Sequence, residues 1–439
     1  MIGLLAGSAT WGLFWGAWAA LLPGIRDQVS ADAGQLGLAL FAVPVGAFPA
    51  MLGMGPVFDR YGRPAFGVTL VLFAVASALS GFASGIVPLA GSLLLVGATS
   101  GAIEVALNAA TAAAEATTGR RLFNRVHAVT PVAMIVGAPL AGAAREAGWD
   151  PADVLLVVAV LVAASAVPNL AGRRVPAAPR IRGLRLSGGL VMYGIAGAAV
   201  LFVENAVEQW SAVLLDQELA VGAFLASLGP AGYMAALSLG RFVTQRYGEN
   251  LTPRRAVTLA GAGGAAGVGV AATAWHPALA LAGFGFAGLA VAPALPTVLA
   301  AVGRVADRPG AALATVTTVS YLGFLASPAV VGQAAGAVGV SGAFGWVAGF
   351  GALLAAGCGV HWWLRRRGLA WGGVSEPGDW TYGSRRTRGT GHRGGVDGPA
   401  LVAAAAPDLP AGDRVSAAGR RRDPGSHGGS APDQRRTDA

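Results

Sequence analysis

Long apolar runs separated by short polar turns recur along the chain up to about residue 364 of its 439. A helix needs about 20 mostly apolar residues to cross a hydrocarbon core. The pattern predicts twelve such helices, over 2-22, 34-56, 65-83, 87-113, 124-145, 151-170, 188-210, 220-243, 255-275, 278-302, 311-335 and 342-364. The runs are continuously apolar and rich in Ala and Gly rather than alternating every second residue, so they predict helices and exclude the short alternating strands of a β-barrel. Small residues let helix backbones approach closely inside lipid, where no hydrophobic drive brings helices together. The expected fold is an all-α integral membrane protein.

The polar turns carry a second pattern. The segment Gly55-Pro-Val-Phe-Asp59-Arg60-Tyr61-Gly62-Arg63 has a degraded copy, Arg241-Phe-Val-Thr-Gln245-Arg246-Tyr247-Gly248, 186 residues later. At the same offset Pro44, Gly46 and Ala50 recur as Pro230, Gly232 and Ala236, so a hydrophobic segment and the charged turn after it were duplicated together. An Arg- and Pro-rich stretch at 171-187 reads as a linker between two pseudo-symmetric six-helix bundles, 1-170 and 188-364. From 365 to 439 the chain turns to Gly, Pro, Arg, Asp and Ser without apolar period, the composition of a basic disordered tail.

Composition agrees with lipid as the main solvent: 54% of residues are hydrophobic and 12% charged, against about a quarter charged in soluble domains. All 31 basic residues are Arg and the net charge is +9. The charge is topological rather than a nucleic-acid footprint. Arg60, Arg63, Arg120, Arg121, Arg125, Arg173, Arg174, Arg180, Arg182, Arg185, Arg246, Arg254, Arg255, Arg304 and Arg308 fall in even-to-odd loops, against Arg26 and Arg145 in odd-to-even loops. The positive-inside rule then places both termini in the cytoplasm. The first apolar run starts beside Met1 without a charged leader, so it is expected to be a retained helix. Cys358 alone excludes an intramolecular disulfide and any multi-Cys metal site.

Twelve helices in two parallel repeats, with the turn Gly55-x3-Asp59-Arg60-x-Gly62-Arg63 between helices 2 and 3, resemble the major facilitator superfamily (MFS) of secondary transporters. The resemblance covers about 1-364 and implies that the turn is a gating loop, with Gly for close approach and a tight bend and Asp59, Arg60 and Arg63 for charge pairing. In the copy Gln245 and Glu249 replace Asp59 and Arg63, so the first copy is expected to carry the gating charge. Gly101-x2-Glu104-x3-Asn108, followed by Glu115, Gly119-Arg120 and His127, is similar to the MosC/YbjJ-like branch and to the fucose-proton symporters. In the symporters the Glu of this pattern carries a proton. Glu204-Asn205-x2-Glu208-x-Trp210-Ser211 is similar to the end of helix 7 in the same branch. Gly137-Ala138-Pro139 with Gly142 partly resembles the Gly-Pro motif of antiporters.

Carboxylates within apolar helices are costly, roughly 2.5 to 3.5 kcal/mol for Asp at the helix centre, and they mark cavities and relays. Glu104 and Glu204 are the candidates. Asn108 stands one turn from Glu104 on the same helix face, so Glu104 reads either as a proton carrier or as a buried acid fixed by Asn108. Glu204 and Glu208 are likewise one turn apart, and mutual repulsion would leave a proton on one of them. Asn205 lies beside them, and Trp210 suits either the same site or the headgroup level. His127 is expected to pair with Glu115 across the hairpin or to take a binding or gating role. Trp11, Phe14, Trp15 and Trp18 form one helical stripe. That stripe faces lipid and neighbouring helices, or else it places Trp15 and Trp18 in the cavity.

No Ser-His-Asp, Cys-His or His-Glu-x-x-His set is present, so an enzyme is not expected, and neither is a metal or cofactor. The expected function is a secondary transporter of the bacterial inner membrane, acting as a monomer and moving a small-molecule substrate by alternating access with protons as coupling ion. The alternatives are a drug or metabolite exporter of the same fold and a non-transporting sensor.

Overall fold

In the computed structural model every described element is an α-helix. Residues 1–120, 122–171, 188–248, 251–306 and 309–366 are described, and all belong to the compact unit Met1–Thr381. Most of the expected linker (172–187), the expected tail beyond 366, Arg121, Glu249, Arg308 and the Cys358 side chain lie outside the described residues.

The elements are α1 (Ile2–Gln28), α2 (Ala33–Tyr61), α3 (Arg63–Gly81), α4 (Ile86–Thr118), α5 (Phe123–Glu146), α6 (Pro151–Leu170), α7 (Gly188–Leu219), α8 (Ala223–Tyr247), α9 (Pro253–Ala272), α10 (Pro277–Val291), α11 (Ala294–Val305) and α12 (Pro309–Arg366). Their ends follow local chemistry. Asp32 opens α2 with a capping box to Gln35, and Asp150 opens α6 with one to Asp153, each satisfying amides that have no partner inside the helix. Pro151, Pro253 and Pro277 sit at first helical positions, where the missing N–H costs nothing.

Eleven stretches among the described residues are long and apolar enough to cross a membrane, where the sequence pattern predicted twelve. The expected helix 278-302 is divided between α10 and α11 at Ala292-Pro293, yet the two count as one stretch, Pro277–Arg304. The expected helices 311-335 and 342-364 run together in α12. Its apolar stretch, Gly310–Gly357, has 48 residues. At 1.5 Å per residue that would be about 70 Å if straight, more than twice the hydrocarbon thickness. It is not continuous: Gly339, with φ 79° and ψ 165°, breaks it between the two expected spans.

Among the first six helices α2 packs on α4, α1 on α5 and α6, and α3 on α6 and α4; among the later ones α12 packs on α7 and α9, and α10 on α9 and α8. Contacts between these sets run through α5 with α8, α2 with α12, and α1 with α7 and α8. The core is aromatic where α1 meets α3: Phe14 stacks on Trp18 at 6.0 Å and meets Phe73 edge-on at 4.8 Å.

The two copies of the charged string end their helices alike. The helices α2 and α8 end at Tyr61 and Tyr247, each ring lying under the preceding arginine, Arg60 at 5.4 Å and Arg246 at 5.1 Å. Most of the charged string is not a turn, because Gly55 to Tyr61 complete α2 and only Gly62 lies outside a helix. A Cβ on Gly55 would meet nothing within 4 Å, so no close helix approach explains that glycine. Gly62 adopts φ 66° and ψ −142°, a region almost exclusive to glycine, whereas Gly248 has an ordinary φ of −86°. Gly62→Ala is therefore expected to cost about 1 to 3 kcal/mol. A thermal melt in detergent should show Gly62→Ala clearly below the parent and Gly53→Ala, whose Cβ would meet nothing within 4 Å, close to it; equal melts would remove the strain argument.

Candidate functional site

Glu104 lies near the middle of α4, and its Oε1 accepts a hydrogen bond of 3.1 Å from the Tyr321 hydroxyl on α12. The sequence reading left Glu104 as a proton carrier or as an acid fixed by Asn108, and the structure shows no such bond to Asn108. Asn108 instead bonds His127, with Oδ1 to Nε2 at 2.7 Å, and His127 stacks on Phe123 at 4.8 Å. Nor does His127 pair with Glu115. The Glu115 carboxylate accepts from the backbone N–H of Leu122 and, at 2.8 Å, of Phe123. An acidic group at the start of α5 takes up amides that the helix leaves unpaired.

Arg241 was read as part of the charged string after the eighth hydrophobic segment, but it is the nineteenth residue of α8 and lies inside the helix. Its Nη2 donates to both carboxylate oxygens of Glu204, each at 3.1 Å, and Glu204 retains only 15% of its side-chain exposure. Glu208 shares the field of Glu204 and Arg241, so two carboxylates face one guanidinium. Tyr233 of α8 lies in the same field. The buried atoms Asn205 Oδ1, Gln209 Oε1, Tyr233 Oη and Arg241 Nε have no hydrogen-bond partner. Such groups are costly inside a protein, and their concentration on α7 and α8 marks this as a polar site rather than packing. Tyr321 is bonded to Glu104 and lies within electrostatic reach of Glu204.

The aromatic stripe of α1 does not face lipid as a whole. Phe14 and Trp18 are fully buried, Trp15 is half-buried, and Trp11 donates its indole N–H to Ser100 on α4 at 2.9 Å. Ser100 is one turn before Glu104, so Trp11 marks the approach to that carboxylate. Trp210, considered for the headgroup level, is also fully buried. Among the described residues no His, Cys, Asp and Glu group could hold a metal ion. A groove of about 640 Å³ between α7 and α12, lined by residues such as Phe202, Leu322, Trp346 and Phe350, is apolar and includes none of the carboxylates. It offers a surface for acyl chains and no chemistry.

At the helix ends that carry Arg60 and Arg63, Arg63 Nε donates to Asn169 Oδ1 at 3.0 Å, and Asn169 Nδ2 donates to the Gly3 carbonyl at 2.9 Å. The gating-loop arginine thereby ties the start of α3 to the end of α6 and the start of α1. Asn169 was not singled out from sequence.

The opposite ends, near Arg26 and Arg145, are closed between the earlier and later helices. A Cβ on Gly37 of α2 would lie 2.6 Å from both Gly332 Cα and Pro328 O of α12. One turn away Gln333 Nε2 donates to the Gly34 carbonyl at 3.1 Å. Gly142 of α5 abuts Ser227 of α8. Glu146 Oε2 accepts the Phe224 N–H at the start of α8 at 3.2 Å. Asp216 of α7 lies in the field of Asp27 and Arg26 of α1 and Arg145 of α5.

The sequence matches no family model. It is similar to an uncharacterized MFS-type transporter of Yersinia pestis, 29% identical over 349 residues that cover 77% of this chain and 89% of the relative. It is also similar to membrane protein MosC of Rhizobium meliloti, 25% identical over 78% of this chain and 86% of the relative. Two solved structures share the fold. A point mutant of nucleoside transporter NupG superposes with a TM-score of 0.66 at 13% identity, covering 82% of this chain and 98% of NupG. A bacterial homolog of the human lysosomal transporter Spinster, in an inward-facing and occupied conformation, gives 0.63 at 14% identity, covering 84% of this chain and 98% of that one.

Proposed function

We propose that this chain, a multi-pass transporter of the major facilitator superfamily in the bacterial inner membrane, moves a small solute by alternating access and couples that movement to protons. The reading counts the two arms of α12 on either side of Gly339 as separate crossings. That makes twelve, arranged as bundles 1–170 and 188–364, with both termini cytoplasmic by the arginine bias. In transporters of this superfamily, solutes bind near the midplane between the repeats. Glu104, Asn108, His127, Glu204, Asn205, Glu208, Trp15 and Trp18 are assigned to that region, Glu104 and the Glu204–Glu208 pair as proton sites.

The observation that supports this reading best is the link from Glu104 through Tyr321 to the field of Glu204, because it joins acidic residues of α4 and α7 through a residue of α12. Two carboxylates beside the single Arg241 leave one charge uncompensated. One proton on the carboxylate pair removes it, since an unpaired buried charge costs several kcal/mol. With the Arg26 and Arg145 ends facing outward, the contacts at Gly37, Gly142 and Glu146 support reading this as a state closed to the outside. Arg63, held by Asn169, steadies the cytoplasmic corner of the first bundle.

The deciding experiment is a solute screen in proteoliposomes with and without an imposed pH gradient. The panel includes nucleosides, because NupG is a nucleoside transporter, together with sugars, amines and organic anions. Gradient-dependent flux of at least one class is expected; no flux across the panel would favour a sensor. With a solute in hand, Asp59→Asn should reduce the flux by weakening the gating loop, and unchanged flux at unchanged expression would remove Asp59 from the gate.

A further inference from the structure

The contact between Glu104 and Tyr321 is unusual in what surrounds it. The helix α4 packs on α1, α2, α3 and α5, whereas α12 packs on α7, α9, α2 and α11, so two long side chains meet where their helices have no extended packing of their own. Tyr321 is nevertheless firmly held from behind. Ser320, whose hydroxyl donates to Val316 O of its own helix at 2.8 Å, has its Oγ 3.3 Å from the Gly194 carbonyl of α7 and abuts Gly197, and Gly323 lies against the carbonyl of Ala198. The phenol is thus carried rigidly by the α7–α12 pair and presented to α4.

A phenol hydroxyl donates far better to a carboxylate than to a neutral carboxyl group, because hydrogen bonds to an ionised acceptor are shorter and roughly twice as strong. We infer that Tyr321 is a positioning residue that ties α12 to α4 while Glu104 is ionised and releases it when Glu104 takes a proton. The inference rests on the reading of Glu104 as a proton site. Tyr321 itself neither binds nor transfers the proton; it makes the docking of α7 and α12 against α4 depend on the charge of Glu104. Among the described residues, the titratable groups around this contact are Tyr321 itself from α12, Glu204 from α7 with Arg241 of α8 bound to it, and His127 from α5, held on Asn108. Among those same residues, α1, α2 and α3 present no charged partner to Glu104.

The release can be read without knowing the solute. In a Cys358→Ala background, Ser227→Cys places a thiol at the buried contact with Gly142. A membrane-impermeant maleimide applied from outside reacts only when that end opens. Lowering the pH should accelerate labelling of the otherwise native full-length protein in proteoliposomes, since protonating Glu104 weakens the tie. Tyr321→Phe should label about tenfold faster than the parent at neutral pH, with the pH dependence flattened. Glu104→Gln should do the same.

A pH-sensitive dye trapped in the vesicles then follows proton entry under an imposed gradient. Tyr321→Phe should leak protons several-fold faster than the parent, because the charged and neutral states are no longer distinguished, while Glu104→Gln should leak none. A Tyr321→Phe protein that keeps the parent's labelling rate and pH profile overturns the role of Tyr321, even if Glu104→Gln behaves as expected. Proton entry through Glu104→Gln at the rate of Tyr321→Phe would instead overturn the proton-site reading beneath it.

Discussion

Arg241→Ala is expected to lower stability by about 2 to 3 kcal/mol, because it leaves Glu204 and Glu208 facing each other without a cation. That is below the range for breaking a fully buried pair, since Arg241 keeps 40% of its side chain exposed. Glu204→Gln should be much milder, because Arg241 then has Glu208 within its field to neutralise. The double variant Glu204→Gln/Arg241→Gln should recover most of the loss, since both charges leave together. Monodispersity and melting after detergent extraction give the order: parent and Glu204→Gln highest, the double variant near them, Arg241→Ala lowest. If Arg241→Ala melts with the parent, the guanidinium is not neutralising the carboxylates.

Gly37→Val should arrest the transport cycle. Its Cβ would fall 2.6 Å from backbone atoms of both Gly332 and Pro328, and a backbone cannot turn aside as a flexible side chain can. Overpacking of this kind costs about 1 to 3 kcal/mol. Under the proposed alternating access α2 and α12 separate at this end, so the cost is relieved by leaving the outward-closed state. Each 1.4 kcal/mol is a factor of ten in that equilibrium, so solute flux should fall by about fivefold to a hundredfold while the Ser227→Cys reporter becomes accessible from outside. Gly53→Val, on the same helix, is the control, since nothing lies within 4 Å of its Cβ. Equal flux in the two variants would mean that the glycine contact is not part of the seal.

The helical architecture was legible because a membrane helix declares itself over about 20 contiguous residues. Every expected span lies on a described helix, and the two departures, at Ala292-Pro293 and in α12, occur at a proline and at a glycine. The candidate site was legible only on one side. An isolated Glu in an apolar run stands out by its desolvation cost, which is why Glu104 and Glu204 could be named. Tyr321 could not: it is one aromatic residue in an apolar helix, and its bond spans 217 positions.

Arg241 was visible only as the start of the copied string, with no partner assigned. Its place in the repeat made it look like the first residue of a loop, because it stands where the first copy has Gly55. By the same offset Glu204 stands where the first copy has Trp18. The second copy therefore holds an ion pair at positions where the first holds an indole and a glycine. The usable signal was charge balance: an arginine inside one predicted span and glutamates inside another, each too costly to leave alone in lipid.

The single-residue joint at Gly62 also bears on where the chain can be cut and rejoined. Between α2 and α3 there is no slack to absorb inserted sequence, and the one available residue is already committed to a backbone geometry that other residues avoid. The corresponding helices, α8 and α9, end at Tyr247 and start at Pro253, with five residues of chain between them. An epitope, a fluorescent domain or a protease site should be accepted there and rejected at Gly62. A gene split between α8 and α9 would be a practical way to express the protein as two separately tagged fragments.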